Sequence, residues 1–420
     1  MSGEIVNLTS HILLFATLYF EVFLLITFFE RYSRIASVSP SLKRLPSVSV
    51  IVPCYNEERT VTRTLQSLLK LRYPKHKLNI IVVDDGSTDN TWRVLQRFQK
   101  RSQITLLQKE NGGKHTALNL ALEHVTTELV GCLDADSFVD PQALKEIVLR
   151  FADPTVMAVT PAIKVNQPKT LIQHIQNAEY NLSIFIRHTF AALNSIFITP
   201  GPFSIFRTHT FHEIGMYKHA HNTEDLEMAL RMQQHHFRIE NAHRALVYTN
   251  APHTLRKLIK QRVRWTYGFL KNILDYRPLF FSAHHGNLGL LVLPTTIIAI
   301  FAALYFTILT LWLLGGRIAA KALEVEAIGL SSFAPQFGFD WFFINTDSLL
   351  FLIYTIGLLT IALIMLGKKL AHEQRMWTMD IVYYMVFYGF LAPIWLAKAL
   401  VDAVRSKPAD WTAERHFSRK

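Results

Sequence analysis

Two acids separated by one small residue, Asp134 and Asp136 around Ala135, close the short apolar run VGCLDADS at residues 130–137. If a strand runs on to that tip, side chains two apart share a face and both carboxylates point the same way. Such a pair suits a hard divalent cation, Mg2+ or Mn2+, which takes oxygen ligands and fills its remaining positions with water and substrate phosphates. Two solvated acids at a strand end would read the same, so the metal reading depends on its neighbours. One neighbour is Asn222-Thr223-Glu224-Asp225, which opens a helical pattern at Leu226, Met228, Ala229, Leu230 and Met232. Acids there complement the positive end of a helix dipole, and capping alone would explain them. Another is Gln261-Arg262-Val263-Arg264-Trp265, in a helix from about Leu255. Helical spacing puts Gln261, Arg264 and Trp265 on one face and turns Arg262 away. A basic amphipathic helix on a membrane would show similar residues, and Arg256, Lys257, Lys260, Arg262 and Lys271 fit that description.

Something must hold these groups together, and the first hundred residues predict what. Val48 to Cys54, VSVIVPC, is a β-branched apolar run ending in the turn Tyr55-Asn56-Glu57-Glu58. A helix follows from Thr60 to Leu71, with Pro74 beyond it. Asn79 to Val83 is a second buried strand, closed by Asp84-Asp85-Gly86-Ser87-Thr88-Asp89, and a helix starts near Thr91. Strand, helix, strand, helix predicts a parallel sheet, and ligands bind such sheets beyond the carboxyl ends of the strands. Three ends are polar: Tyr55 to Glu57, Asp84 to Asp89, and Asp134 to Asp136. Asp85 and Asp89 can cap the turn and the following helix. Between the second and third ends, NGGKHTALN at 111–119 is a glycine turn entering a helix, with backbone N–H groups able to approach a phosphate and Lys114 as a cation. A P-loop is excluded, since Gln108 stands where its first glycine belongs and His115 where Ser or Thr is needed. TPGPFSIFR at 199–207 is a stiff turn before an apolar strand.

Composition places this domain in a membrane setting. Half of the 420 residues are hydrophobic and only 18% are charged. Residues 11–29, 288–314, 349–366 and 379–401 are long and apolar enough to span a bilayer. The first reads as a retained anchor, with Glu21 inside it. Arg31, Arg34, Lys43 and Arg44 follow it, so the positive-inside rule puts residues 45–275 in the cytoplasm. Residues 315–347, ending in Trp341, Phe342 and Phe343, suit an outer loop. A fourth crossing would then leave the basic tail, Lys398, Arg405, Lys407, Arg415, Arg419 and Lys420, outside, so 379–401, with Pro393, reads either as a re-entrant or interfacial pair or as an exception to the rule. Cys54 and Cys132 read as reduced hydrophobes, and the eighteen histidines as surface or packing groups. The net charge of +12 fits lipid headgroups or an anionic substrate; no nucleic-acid signature accompanies it.

Taken in order, VSVIVPCYNEE, VVDDGSTDNT, NGGKHTALN, LDADS, TPGPFSIFR, NTEDLEMALRM and QRVRW resemble the successive motifs of inverting family 2 glycosyltransferases with a GT-A fold. More narrowly they resemble the membrane-embedded synthases of poly-N-acetylglucosamine, hyaluronan, chitin and cellulose, over roughly residues 46–275. The resemblance implies an α/β fold, a mostly parallel sheet with helices on both faces, and transmembrane helices before and after it. It implies a nucleoside pocket of Pro53, Tyr55 and Glu57, with Asp84 accepting the uracil N–H, Lys114 on the nucleotide, and Mg2+ or Mn2+ on Asp134 and Asp136. An aromatic face for stacking and a carboxylate for an imide donor are chemically apt, although Tyr55 would also pass as a turn aromatic. Inversion is a direct displacement, needing one carboxylate to take the acceptor proton and a cation to stabilise the departing diphosphate. The resemblance makes Asp225 that base, with Glu224 in support, and places the TPGP turn near the acceptor. Arg264 would pair with diphosphate oxygens, Trp265 would face an acceptor sugar, and Gln261 would hydrogen-bond either.

The implied protein has an anchor and basic segment at 1–44, a cytoplasmic catalytic domain at 45–275, and a membrane domain with interfacial segments and a basic tail at 276–420. It would sit in a bacterial inner membrane and add N-acetylglucosamine or glucose from a UDP-sugar to a growing polysaccharide. A membrane lipid is the alternative acceptor, because some lipid glycosyltransferases carry a similar QxxRW. About four spans are few for a channel, so a second copy or an accessory membrane subunit is expected.

Overall fold

The computed structural model describes residues 2–35, 44–328 and 348–405. Lys43, the loop aromatics Trp341, Phe342 and Phe343, and the tail residues Lys407, Arg415, Arg419 and Lys420 lie outside these ranges. Eight strands form one sheet: β1 Val48–Cys54, β2 Leu78–Asp85, β3 Ile104–Lys109, β4 Leu129–Cys132, β5 Ser137–Val139, β6 Val156–Val165, β7 Ile205–Arg207 and β8 Arg238–Thr249. Their order is β3-β2-β1-β4-β7-β6-β8-β5. The first four run parallel, β7 runs antiparallel to β4 and β6, β6 and β8 are parallel, and β5 closes the edge antiparallel to β8.

The expected continuous apolar runs are the central strands, where both faces are covered. Val48, Val50 and Val52 of β1 join a core with Val61, Leu65 and Leu68 of the helix Val61–Leu69 and Ile147 of the helix Ala143–Arg150. Ile51 faces the opposite core, with Ala117 and Leu118 of the helix Lys114–Leu122. That second core runs on without a break into Leu24, Phe28, Leu293 and Leu363, so the sheet domain and the apolar helices share one hydrophobic interior. Register fixes the site: Cys54 pairs with Asp84, which sets the first two polar turns side by side.

One expectation fails here. β4 stops at Cys132, and Asp134 and Asp136 sit in the turn before β5 rather than on a strand. The amide of Leu133 still donates to Ile51 O at 2.8 Å, and Ser137 N then closes the turn on Asp134 O at 2.9 Å. The chain must reverse there to reach β8, so alternation along a strand does not orient the two carboxylates.

Among the described residues four helices are long and apolar enough to cross a membrane, over Ile5–Glu30, Leu288–Ala327, Ser348–Leu370 and Met379–Val404. Tyr305 Oη donates to Val6 O at 3.0 Å, His11 Nε2 meets Ser348 Oγ at 2.7 Å, and Thr360 Oγ1 donates to Glu21 Oε1 at 2.8 Å. Glu21 thus joins two of these helices. The 22-residue helix Leu171–Ala192, which the apolar pattern did not single out, lies between them and the sheet. A capping box of Thr170 and Gln173 starts it.

Candidate active site

The first two strand ends are laced together by short polar bonds. Asn56 N donates to Ser87 Oγ at 2.9 Å, Thr88 N to Asn56 Oδ1 at 2.8 Å, and Glu57 N to Thr91 Oγ1 at 2.8 Å. Asn56 takes the left-handed φ of 57° that such a tight turn needs. Pro53, Tyr55 and Glu57 are half-buried around it, with Thr60 Oγ1 donating to the Glu57 carboxylate. Asp89 behaves as a cap, accepting from Thr91 N at 2.9 Å and Glu58 N at 3.3 Å. Asp84 does not match the expected open acceptor. It is fully buried, and its two oxygens accept from Ser87 N at 3.2 Å and Gln108 Nε2 at 3.1 Å, which makes it the hub of its own turn.

The glycine turn also departs from expectation. Gly112 N and Gly113 N donate to the Asp85 carboxylate at 3.1 and 2.9 Å, and Lys109 Nζ sits 2.8 Å from the same group. Those amides are therefore taken by Asp85 rather than presented to a phosphate. What the anchored loop does present is Lys114. Its Nζ lies 2.7 Å from Asp134 Oδ1 and 2.9 Å from Glu224 Oε1, joining the DAD turn to the helix Glu224–Gln234. Burial works against the Lys114 cation, but the Asp134 and Glu224 carboxylates outweigh it and hold its pKa well above the usual lysine value. Burial would likewise raise Glu224, and Lys114 reverses that, leaving it below the usual value.

Beside this bridge, burial and then the Glu224 charge push Asp225 up to about 6. Its Oδ1 accepts from Leu226 N at 2.9 Å, while its main-chain oxygen accepts from Thr199 Oγ1 at 2.8 Å. The TPGP turn is thereby tied to the start of the acidic helix. Gly201 of that turn leaves no room, since a Cβ there would stand 2.7 Å from Lys114 Nζ and 3.1 Å from both Asp134 oxygens. Gly201→Ala is expected to displace the bridge and lower turnover by up to about 10²-fold, with Tm little changed because the lysine tip can move. Equal turnover in the two proteins would show that the bridge position is not critical.

The QRVRW helix, Leu255–Asp275, packs through Leu258 and Val263 on Ala392, Trp395 and Ala399 of an apolar helix. Arg264 Nη1 donates to Asn222 O at 3.2 Å and adds to the field that keeps Glu224 ionised. Three consecutive residues, Ala220, His221 and Asn222, hold φ of 46°, 54° and 64°, and Asn272 Nδ2 supports them at Ala220 O and Thr223 Oγ1. Such strain next to Asp225 marks a loop fixed by its surroundings. Arg262 contradicts the expectation that it turns away to a membrane surface. It is buried, its Nη2 is 2.7 Å from Glu179 Oε2, and its guanidinium stacks 4.4 Å over the Trp265 ring, because residues three apart adjoin on a helix. Trp265 therefore has one face covered, and Gln261 Oε1 is buried without a hydrogen-bond donor among the described residues. Glu179, on the helix Leu171–Ala192, was missed in the sequence; an acid on an otherwise apolar helical face was the available signal.

A cleft of about 310 Å3 opens among Gly113, Lys114, His115, His219, Asn222 and Glu224. His115 and His219 meet edge to face at 5.2 Å, and burial followed by the His219 charge lowers the His115 pKa. The reading of the histidines as surface or packing groups did not single out these two at the cleft.

Among the described residues no group of three or more His, Cys, Asp or Glu is arranged to hold a metal. The carboxylate pair remains. Burial and then the Asp134 charge raise Asp136 to about 6, so the two carboxylates are near enough to oppose each other, and Lys114 supplies the local countercharge. An incomplete, all-oxygen set fits a cation that completes its shell with phosphate and water.

Residues 49–215 match Glycosyl transferase family 2. Poly-beta-1,6-N-acetyl-D-glucosamine synthase of Staphylococcus epidermidis is 31% identical over 261 residues, 61% of this chain and 63% of the relative. The same-named protein of Staphylococcus aureus strain COL is 30% identical over 57% of this chain and 58% of its own. The chain thus matches under two thirds of these relatives' length. Among solved structures, a mannosyltransferase of Pyrobaculum calidifontis in complex with GDP-Man and Mn2+ superposes with a TM-score of 0.61 at 21% identity, covering 95% of this chain and 99% of the other. That likeness is one of fold, and it extends through the apolar helices.

Proposed function

We propose, from a chain that carries a glycosyl transferase family 2 domain of GT-A fold, that the protein is a membrane-bound inverting glycosyltransferase that extends a polysaccharide from a UDP-sugar. The observation that carries this reading is the Lys114 bridge, which joins Asp134 of one motif to Glu224 of another beside a single cleft. N-acetylglucosamine is the proposed sugar, supported by the names of the synthase relatives. We divide the chain as read from its sequence, with an anchor at 1–44, a cytoplasmic catalytic domain at 45–275 and a membrane domain from 276, in a bacterial inner membrane.

In this mechanism Asp225 takes the proton of the acceptor hydroxyl. The freed oxygen attacks the anomeric carbon from the face opposite the diphosphate, the glycosidic bond forms as the bond to the diphosphate breaks, and the configuration inverts. Lys114 and Arg264 would meet the departing diphosphate, and Lys114 keeps Glu224 ionised beside Asp225, whose carboxyl is raised to about 6 as that of Asp136 is. Pro53 and Tyr55 line the nucleoside side, with Asp84 holding the neighbouring turn at Ser87. Asp134 and Asp136 would hold Mg2+ or Mn2+, which when bound supplies charge neutralisation for the diphosphate.

Because Asp225 must be ionised to act and its pKa is raised to about 6, turnover should be flat above neutrality and fall tenfold per unit below about pH 6. A profile with no acid limb near there would remove Asp225 as the base. The activity itself is tested by incubating membranes holding the protein with radiolabelled UDP-N-acetylglucosamine, UDP-glucose and GDP-mannose, with and without chelator. Incorporation from UDP-N-acetylglucosamine, abolished by chelator and restored by Mg2+ or Mn2+, is expected. Incorporation from GDP-mannose alone would overturn the donor assignment.

A further inference from the structure

The helix Met379–Val404 has the length and composition of a membrane span, yet each third of it stays with the catalytic domain. Its first turn is fastened to the helix Leu171–Ala192: Asp380 Oδ1 lies 2.5 Å from His174 Nδ1, and Oδ2 accepts from Asn177 Nδ2 at 2.9 Å. Thr378 Oγ1 donates to the same carboxylate at 3.0 Å and receives Lys368 Nζ at 2.8 Å. Lys368 pairs in turn with Glu373, which also binds Lys164 of β6 at 2.8 Å. The middle follows the QRVRW helix. Tyr388 Oη donates at 3.2 Å to Glu179, the carboxylate that holds Arg262, and Ala392, Trp395 and Ala399 share a buried cluster with Leu258 and Val263. At the far end Asp402 is near enough to Tyr267 to help raise its phenol, after burial.

A spanning helix that began at the catalytic face would carry its middle to the centre of the bilayer. Here the middle is packed on the helix that carries exposed Arg256, Lys257 and Lys260 and on the Glu179–Arg262 pair. Those charges would be drawn to a depth where they are costly. The opposite face tells what covers it. Val382, Val386, Phe390, Ile394 and Val401 are exposed at helical spacing, Phe390 by 70%, and Lys398 and Arg405 lie exposed toward the end of the helix. An apolar stripe continuous with bilayer-crossing helices and edged by cations is the surface of a helix lying in a lipid interface.

We infer that Met379–Val404 lies in the leaflet on the catalytic side, its stripe in the acyl chains, so that the chain crosses the bilayer three times and Arg405 lies on the side of the catalytic domain. This rests on the membrane reading above. It removes the conflict in the sequence: with three crossings, Lys398 and Arg405 fall on the same side as Arg44, as the positive-inside rule requires. It also gives the QRVRW helix a fixed floor, joining Arg262 and Glu179 to lipid through Tyr388.

Cys54 and Cys132 are buried, so single added cysteines report position in the full-length protein. Retention of the protein in membranes through alkaline carbonate tests the membrane reading separately. Arg405→Cys is then labelled with an impermeant maleimide in sealed vesicles, beside Lys100→Cys on the catalytic domain and Gly316→Cys in the last third of the second apolar helix. Nitroxides at Val382, Phe390 and Val401 report depth. The expected result is labelling of Arg405→Cys only in vesicles that label Lys100→Cys, and the same shallow depth for all three nitroxides. Labelling with Gly316→Cys, no labelling from either side, or a depth maximum at Phe390 overturns the inference.

Discussion

Asp225→Asn should lower sugar transfer by about 10²–10⁴-fold, the range ascribed to a positioned general base, with the fold and donor affinity intact. The carboxamide oxygen can keep the bond that Oδ1 accepts from Leu226 N, and the main-chain contact to Thr199 does not involve the side chain. What it cannot do is take a proton. The variant should also lose the part of the acid limb that Asp225 contributes, leaving only that of Asp136, whose carboxyl is likewise raised to about 6. Steady-state rates and calorimetric titration with UDP check both halves. A variant with the wild-type rate would leave this domain without its base, and one that no longer binds UDP would indicate a structural role instead.

Lys114→Met should have the next largest effect. The cation is shared by Asp134 and Glu224, and without it two carboxylates face each other across the cleft while Asp136 and Asp225 already resist ionisation. Loss of a preorganised charge at the leaving group is worth about 10²–10³ in turnover, and loss of the charged hydrogen bonds about 1.5–3 kcal/mol in stability. Lys114 lowers the Asp225 pKa, so the midpoint of the acid limb should also move above pH 6. That shift separates this variant from one that is merely less stable. A rate loss with the midpoint unmoved would mean that Lys114 acts on the donor alone, without governing the carboxylates.

Much of this site was legible because its parts are local. A β-branched run followed by a polar turn announces a buried parallel strand and its end, and the three expected ends fall at the neighbouring strands β1, β2 and β4, the third without the strand continuing to Asp136. The acidic helix from Glu224 and the four apolar helices were legible for the same reason. The failures are non-local. Asp85 is 27 and 28 residues from the glycine amides that it holds, and nothing in NGGK says that its N–H groups are already taken. Asp84 and Gln108 meet because β2 and β3 are neighbours in register, which buries an acid expected to be free. Arg262 was assigned to the surface from helix spacing, yet its partner Glu179 comes from a helix 83 residues earlier. Spacing tells which residues share a face, and only the packing tells what that face meets.

The claim beneath all of this is that a polymer grows on the protein. The direct measurement is the size of the product made from radiolabelled UDP-N-acetylglucosamine by membranes containing the wild type or Asp225→Asn. Label in high-mass, water-soluble or retained material from the wild type, and none from the variant, is the predicted result. Label in a small product that extracts into organic solvent would contradict it and assign the transfer to a membrane lipid.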